Sequence, residues 1–130
     1  MLVVTAAQPG RFRLPEGATD KSTFNVGYIS SGADLTVLSY TPAISNTLYI
    51  ANFMGSCDAL ASGALIVYIR FAGNKIFEYS TGDHGVVMPL SFPIAIIGDG
   101  ASAFLANIYN NTLDSVRIDG YIQAWEEPTI

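Results

Sequence analysis

Ionised side chains are what this chain has least of. Only 13% of its 130 residues are Asp, Glu, Lys or Arg, where soluble domains usually carry ~25%. Cysteine occurs once, at Cys57, which excludes an intramolecular disulfide and leaves the redox compartment open. Histidine also occurs once, at His84. A cupin-type metal site draws several histidines from different strands, so that class is excluded. No hydrophobic run approaches the ~18–20 apolar residues of a membrane helix. The apolar start at residues 1–4 is too short for the core of a signal peptide and lacks a basic flank. Basic residues number six against eleven acids, a net charge of −5, whereas nucleic-acid binding draws on clustered Lys and Arg. Glycine-rich phosphate loops are missing as well. The expectation is no membrane span, no nucleic acid, no cofactor and no metal.

What is there is apolar surface: 50% of the residues are hydrophobic. The length suits one domain, which buries roughly two-thirds of its unfolded surface and folds without disulfide or metal. A soluble domain so poor in charge disperses best by covering apolar surface against copies of itself or another protein. We therefore expect an obligate homo-oligomer. Positive charge is uneven. Arg11, Arg13 and Lys21 lie near the start, while Arg70, Lys75 and Arg117 share the remainder with all the acids except Glu16 and Asp20.

Residues 1–22 read as an extended N-terminal arm, with Pro9-Gly10 and Pro15-Glu16-Gly17 breaking any periodicity and a short strand at 2–5. Residues 23–130 are a succession of strand-length segments divided by turns. Phe24, Val26 and Tyr28 alternate with Asn25 and Gly27. Further strands follow at 35–40, 47–53, 65–71, 75–80, 86–92, 94–98, 103–109 and 115–125. Ala72-Gly73-Asn74 marks the clearest hairpin. Pro89 and Pro93 suit a sheet edge or a bent strand rather than a central one. In the last segment Val116, Ile118, Ile122 and Ala124 share one face. The small-residue stretch 54–63 reads as a loop holding a helical turn at 58–61 that Asp58 caps. Eight or nine short strands without an amphipathic helix predict an all-β, antiparallel two-sheet sandwich. Jelly-roll topology is preferred. The immunoglobulin type would bring paired cysteines and a mid-domain tryptophan, whereas Trp125 stands near the end.

An enzyme finds little support. His84 is the sole imidazole for a Ser or Cys nucleophile, and beside Asp83 it reads as a loop tip. Cys57 has no basic neighbour in sequence to activate it. Glu78, Asp114 and Asp119 are candidate carboxylates for glycoside hydrolysis, which needs a facing pair; an acidic domain supplies such residues by chance. Asp83 and Asp99 beside glycines read as turn chemistry rather than a calcium loop. Asn110-Asn111-Thr112 matches a glycosylation acceptor but reads as a hairpin turn. The catalytic set is therefore empty. A glycan-binding module is the alternative: Tyr68, Phe77, Tyr79, Tyr109 and Tyr121 lie on strands, where exposed rings stack on sugars. Trp125 is expected to pack over the sandwich end or in an interface.

The arm is the candidate partner-binding element. Arg11-Phe12-Arg13-Leu14 sets two guanidinium groups on one side of an extended segment and two apolar groups on the other. Such a segment adds to a neighbour's sheet edge, and guanidinium groups pair with carboxylates. This arm, the charge-poor body and the closing run Val116-Arg117-Ile118-Asp119-Gly120-Tyr121-Ile122 resemble the small jelly-roll decoration, cement and head-fibre proteins of tailed bacteriophages. The resemblance implies a trimer on the capsid surface of a virion, bound to a major capsid or other virion protein, reinforcing the shell without chemistry.

Overall fold

The computed structural model describes residues 14–58, 64–80, 85–87 and 93–129. Among them are ten strand segments: β1 (Thr19–Asp20), β2 (Thr23–Ile29), β3 (Asp34–Tyr40), β4 (Asn46–Cys57), β5 (Leu65–Phe71), β6 (Asn74–Ser80), β7 (Gly85–Val87), β8 (Ile94–Ile97), β9 (Phe104–Asn110) and β10 (Val116–Pro128). β1 and β2 continue one another along β10 in unbroken register, from Thr19 opposite Glu126 to Ile29 opposite Val116. Between them the Ala124 N–H donates to the Ser22 hydroxyl at 3.1 Å, and the Lys21 N–H donates to the Ala124 carbonyl. β7 and β8 likewise both pair with β4. The ten segments thus fill eight strand positions.

Two antiparallel sheets result. One runs β1/β2, β10, β4, β7/β8; the other runs β3, β9, β5, β6. The pairings nest. β5 pairs with β6, β4 with β7 and β8, β3 with β9, and β2 with β10. This is one long antiparallel hairpin rolled up and sealed by β4 on β10 and β5 on β9, the eight-stranded jelly roll. The expected sandwich is therefore present.

Two local readings change. Successive strands in the second half are antiparallel but mostly switch sheet, so the β9–β10 connection is an arch between sheets, not a hairpin. The hairpin at Ala72-Gly73 is real, and both residues take left-handed φ values (53° and 80°), as a two-residue turn of the primed type requires. β4 runs on through Cys57, so Met54, Gly55 and Ser56 belong to a central strand and not to a loop. Residues 2–5 and 59–63, where a strand and a helical turn were expected, lie outside the described residues. Asp58 instead accepts the Arg117 N–H at 3.3 Å.

Gly55 looks like a strand breaker, yet packing requires it. Gly55 and Gly120 lie opposite one another on β4 and β10, both facing the interior. Ile108 of β9 projects from the other sheet into the notch they leave. A Cβ on Gly55 would stand 2.6 Å from the Ile108 Cδ1 atom; one on Gly120 would stand 2.8 Å from it and 2.5 Å from Val37 Cγ2. Around this point Phe53, Leu65, Val67, Phe104, Ile118 and Ile122 are fully buried. An irregularity in the β4–β10 register at Gln123/Ala124 adds a residue to β4. That resets its alternation, so Leu48 and Ile50 face inward before it and Phe53 and Gly55 after it.

At the opposite end of β10 from the β9 arch, Glu126 is buried and holds the sheets together. Its carboxylate accepts the Tyr40 hydroxyl at 2.5 Å and the Ala43 N–H at 2.9 Å. Burial pushes the Glu126 carboxyl up; the Tyr40 hydroxyl, the Ala43 N–H, the Asn46 side chain and the Lys21 charge together pull it further down, below the usual carboxylate range. Acceptance by Glu126, burial and the adjacent negative charge push the Tyr40 phenol up to about 12. Lys21 sits 4.4 Å from the Tyr40 ring centroid.

Two outcomes follow from these packings. Gly120→Ala should cost about 1–3 kcal/mol in urea unfolding, the scale of overpacking. Ile108→Val, which removes the clashing Cδ1, should recover part of that loss in the double variant. Glu126 contributes stability above about pH 4.5, where it ionises when unfolded, and loses it as the pH falls through its lower folded value. Tyr40 contributes below pH 10 and loses its share as the pH rises from 10 to about 12. Glu126→Gln should flatten the acid limb of a stability–pH profile and bring the tyrosinate titration of Tyr40 back toward 10.

Candidate functional site

The outer face of the β3–β9–β5–β6 sheet carries a cleft of about 320 Å³ lined by Asp34, Ile66, Tyr68, Arg70, Lys75, Glu78 and Tyr109. Strand alternation places them there. On β5, Leu65, Val67 and Ile69 fill the core, so Ile66, Tyr68 and Arg70 point outward. Register then aligns the neighbours: Tyr68 lies opposite Asn107 on one side and Glu78 on the other, and Arg70 lies opposite Lys75.

Tyr68 organises the floor. Its hydroxyl donates to Asp34 at 2.5 Å and accepts from the Asn107 amide at 3.1 Å. A hydroxyl has one proton, and it goes to the carboxylate, so Asn107 presents its NH₂ group here. The Asn107 carbonyl oxygen is buried without a hydrogen bond. Burial, helped by the Asp34 bond and charge, raises the Tyr68 phenol against the smaller opposing effects of Asn107 and Arg70. The residue is only 8% exposed. Arg70 and Lys75 each lie 5.3 Å from its centroid, and Lys75 pairs with Glu78 at 3.0 Å. Both faces of chemistry meet here: donors from two cations, acceptors from two carboxylates.

The residues singled out in the sequence do not gather into one site. Arg11, Phe12 and Arg13 lie outside the described residues, as do Asp83 and His84; Leu14 is half-buried. The expected arm reaches the body at its inner end, where Thr19 and Asp20 pair with Glu126 and Trp125. Glu78, Asp114 and Asp119 are distributed over the second sheet, the β9–β10 arch and the first sheet. Cys57 is half-buried against the core. Asp99 spends its carboxylate on its own turn, accepting the Ala101 and Ser102 N–H groups and the Ser102 hydroxyl. The Ser102 hydroxyl and these N–H groups pull its carboxyl down to about 2. Asn110 is fully buried and fully engaged. It donates to the Ile29 and Asp114 carbonyls and accepts from the Thr112 N–H and hydroxyl. No sugar chain can be attached there in the folded state. Trp125 is buried in a stack on Tyr49, with centroids 5.4 Å apart. Among the described residues no group of three or more His, Cys, Asp or Glu is placed to hold a metal ion, and no helix is long and apolar enough to cross a membrane. Sequence reasoning missed Asp34, Arg70, Lys75 and Asn107. Strand alternation alone could have put Arg70 beside Tyr68; strand order was needed to bring Asp34 to them.

No family model and no curated protein matches the chain. Among solved structures it is similar to dimeric latent PorU from Porphyromonas gingivalis, with 11% identity and a TM-score of 0.43 over 84% of this chain. The chain spans only 13% of that protein's length.

Tyr68→Phe should leave the Asn107 amide buried without its acceptor and release Asp34 of β3. We expect a loss of about 1–3 kcal/mol in denaturant unfolding, with faster amide exchange concentrated in β3.

Proposed function

We propose that this protein is a non-enzymatic structural subunit of the capsid decoration or cement kind. Copies of the jelly roll associate, as a trimer, and bind a shell protein on a virion surface. The observation that carries the reading is the phase of β2. Three of its apolar residues, Phe24, Val26 and Tyr28, share the outer face, while Ile29 packs against the core. Phe24 is 62% exposed, Tyr28 76% and Val26 37%, while Asn25 faces β3 and donates to the Thr36 carbonyl at 2.9 Å. Gly27 lies against Leu35. Pairing with β10 fixes this phase, and a slip of one residue would turn the strand over.

A monomer gains nothing from such an exposed row. Phe24 and Tyr28 alone leave on the order of 200 Å² of aromatic surface in water, taking ~150–250 Å² for a whole ring side chain. Exposed apolar rows of this kind mark protein–protein contacts. Arg117 and Asp119, opposite Tyr28 and Val26 on β10, pair at 3.3 Å and give the row a polar rim. Residues Arg11, Phe12, Arg13 and Leu14 supply the contact with the shell, their guanidinium groups meeting carboxylates. Many copies together give avidity that one contact does not.

Analytical ultracentrifugation tests the reading. The full chain should sediment as an oligomer, and the double variant Phe24→Ser/Tyr28→Ser as a monomer that still unfolds cooperatively. A wild-type chain that stays monomeric at high concentration would remove the basis for self-assembly.

A further inference from the structure

Among the described residues, Arg70 stands apart from the other cations. Lys75 pairs with Glu78, and Arg117 with Asp119. Lys21 lies over Tyr40 and acts on Glu126. Arg70 has no ion pair among the described residues. It is nevertheless held in place, above a Tyr68 ring that Asp34 and Asn107 fix through its hydroxyl. In a chain of net charge −5, a positioned guanidinium with unspent donors on a cleft wall is a receptor for an anionic group.

The rest of the lining says which kind of anion. Asp34 and Glu78 are acceptors that suit hydroxyl donors and repel polyanions. Nucleic acid, phosphate esters and runs of acidic residues therefore meet as many like charges as cations, two of each. A ligand with one carboxylate and several hydroxyl groups brings a single charge to Arg70 and offers its hydroxyls as donors to the two carboxylates. Ile66 and Tyr109 supply an apolar flank against which a pyranose face can lie. The volume stands at the small end of ligand sites, fitting one or two sugar rings. Stacking on Tyr68, the mode that aromatic strands suggest, is closed by Arg70 and Lys75.

We propose that this cleft binds a saccharide carrying a single carboxylate, of the uronic acid class. Arg70 takes the carboxylate, and Asp34 and Glu78 take ring hydroxyls. The site lies on the opposite sheet from the β2 row and stands independently of the assembly role.

The test is calorimetric titration of the full chain at low salt with a disaccharide ending in glucuronic acid, its neutral glucose counterpart and a glutamate hexapeptide. The acidic disaccharide should bind at least ~10-fold tighter than the neutral one, the scale of a charge-assisted contact. Arg70→Gln should erase that preference and Arg70→Lys should keep part of it, with sedimentation unchanged in both. The proposal is overturned by equal binding of the two sugars, by a preference that survives Arg70→Gln, or by binding of neither. Tighter binding of the hexapeptide would overturn it as well, assigning the cleft to a protein carboxylate.

Discussion

Ile108 enters the notch between Gly55 and Gly120, and the distance between the two sheets is set at that contact. Facing sheets ordinarily stand ~10 Å apart with side chains on both inner faces. Here two directly paired residues of one sheet contribute no side chain, so the other sheet can push a whole isoleucine up to the backbone. The surrounding Leu, Val, Ile and Phe side chains are sized to that separation. Interiors packed to this density do not absorb an extra methyl group without moving something.

β3 shows how polar groups complete what apolar packing begins. It lies at the edge of its sheet and is tied at both ends. Asp34 at its start is held through Tyr68 within the sheet, and Tyr40 at its end is held by Glu126 across the sandwich. Both carboxylates accept a phenol, and the buried one, Glu126, is thereby not left as an unpaired charge. The same fixing of Tyr68 that anchors β3 also positions the cation above its ring, so the stability of the edge and the shape of the cleft rest on one side chain.

The fold class was legible in the chain because strand length, alternation and turn residues all agree. Residues 65–71 coincide with β5, and the face shared by Val116, Ile118, Ile122 and Ala124 is the buried face of β10. Gly55 misled because a glycine is locally a breaker, while its reason for being in β4 is a contact with a residue more than fifty positions away. β2 shows a deeper limit. Alternation reveals that Phe24, Val26 and Tyr28 share a face, but only the register with β10 reveals that the face is the outer one. The cleft was illegible for a similar cause, since Asp34, Arg70 and Lys75 come from three strands whose order no local signal encodes.

The rolled hairpin also orders events in time. The centre of one sheet is β10, which leaves the ribosome after every other strand described here. Until it emerges, β1, β2 and β4 have no common partner, and the glycine notch has only one wall. Contacts between segments so far apart in the chain close slowly, and the half-made sheet leaves strand edges open meanwhile. The early strands must therefore wait in a state that neither aggregates nor commits, which makes a low content of long apolar runs useful before the native state exists at all.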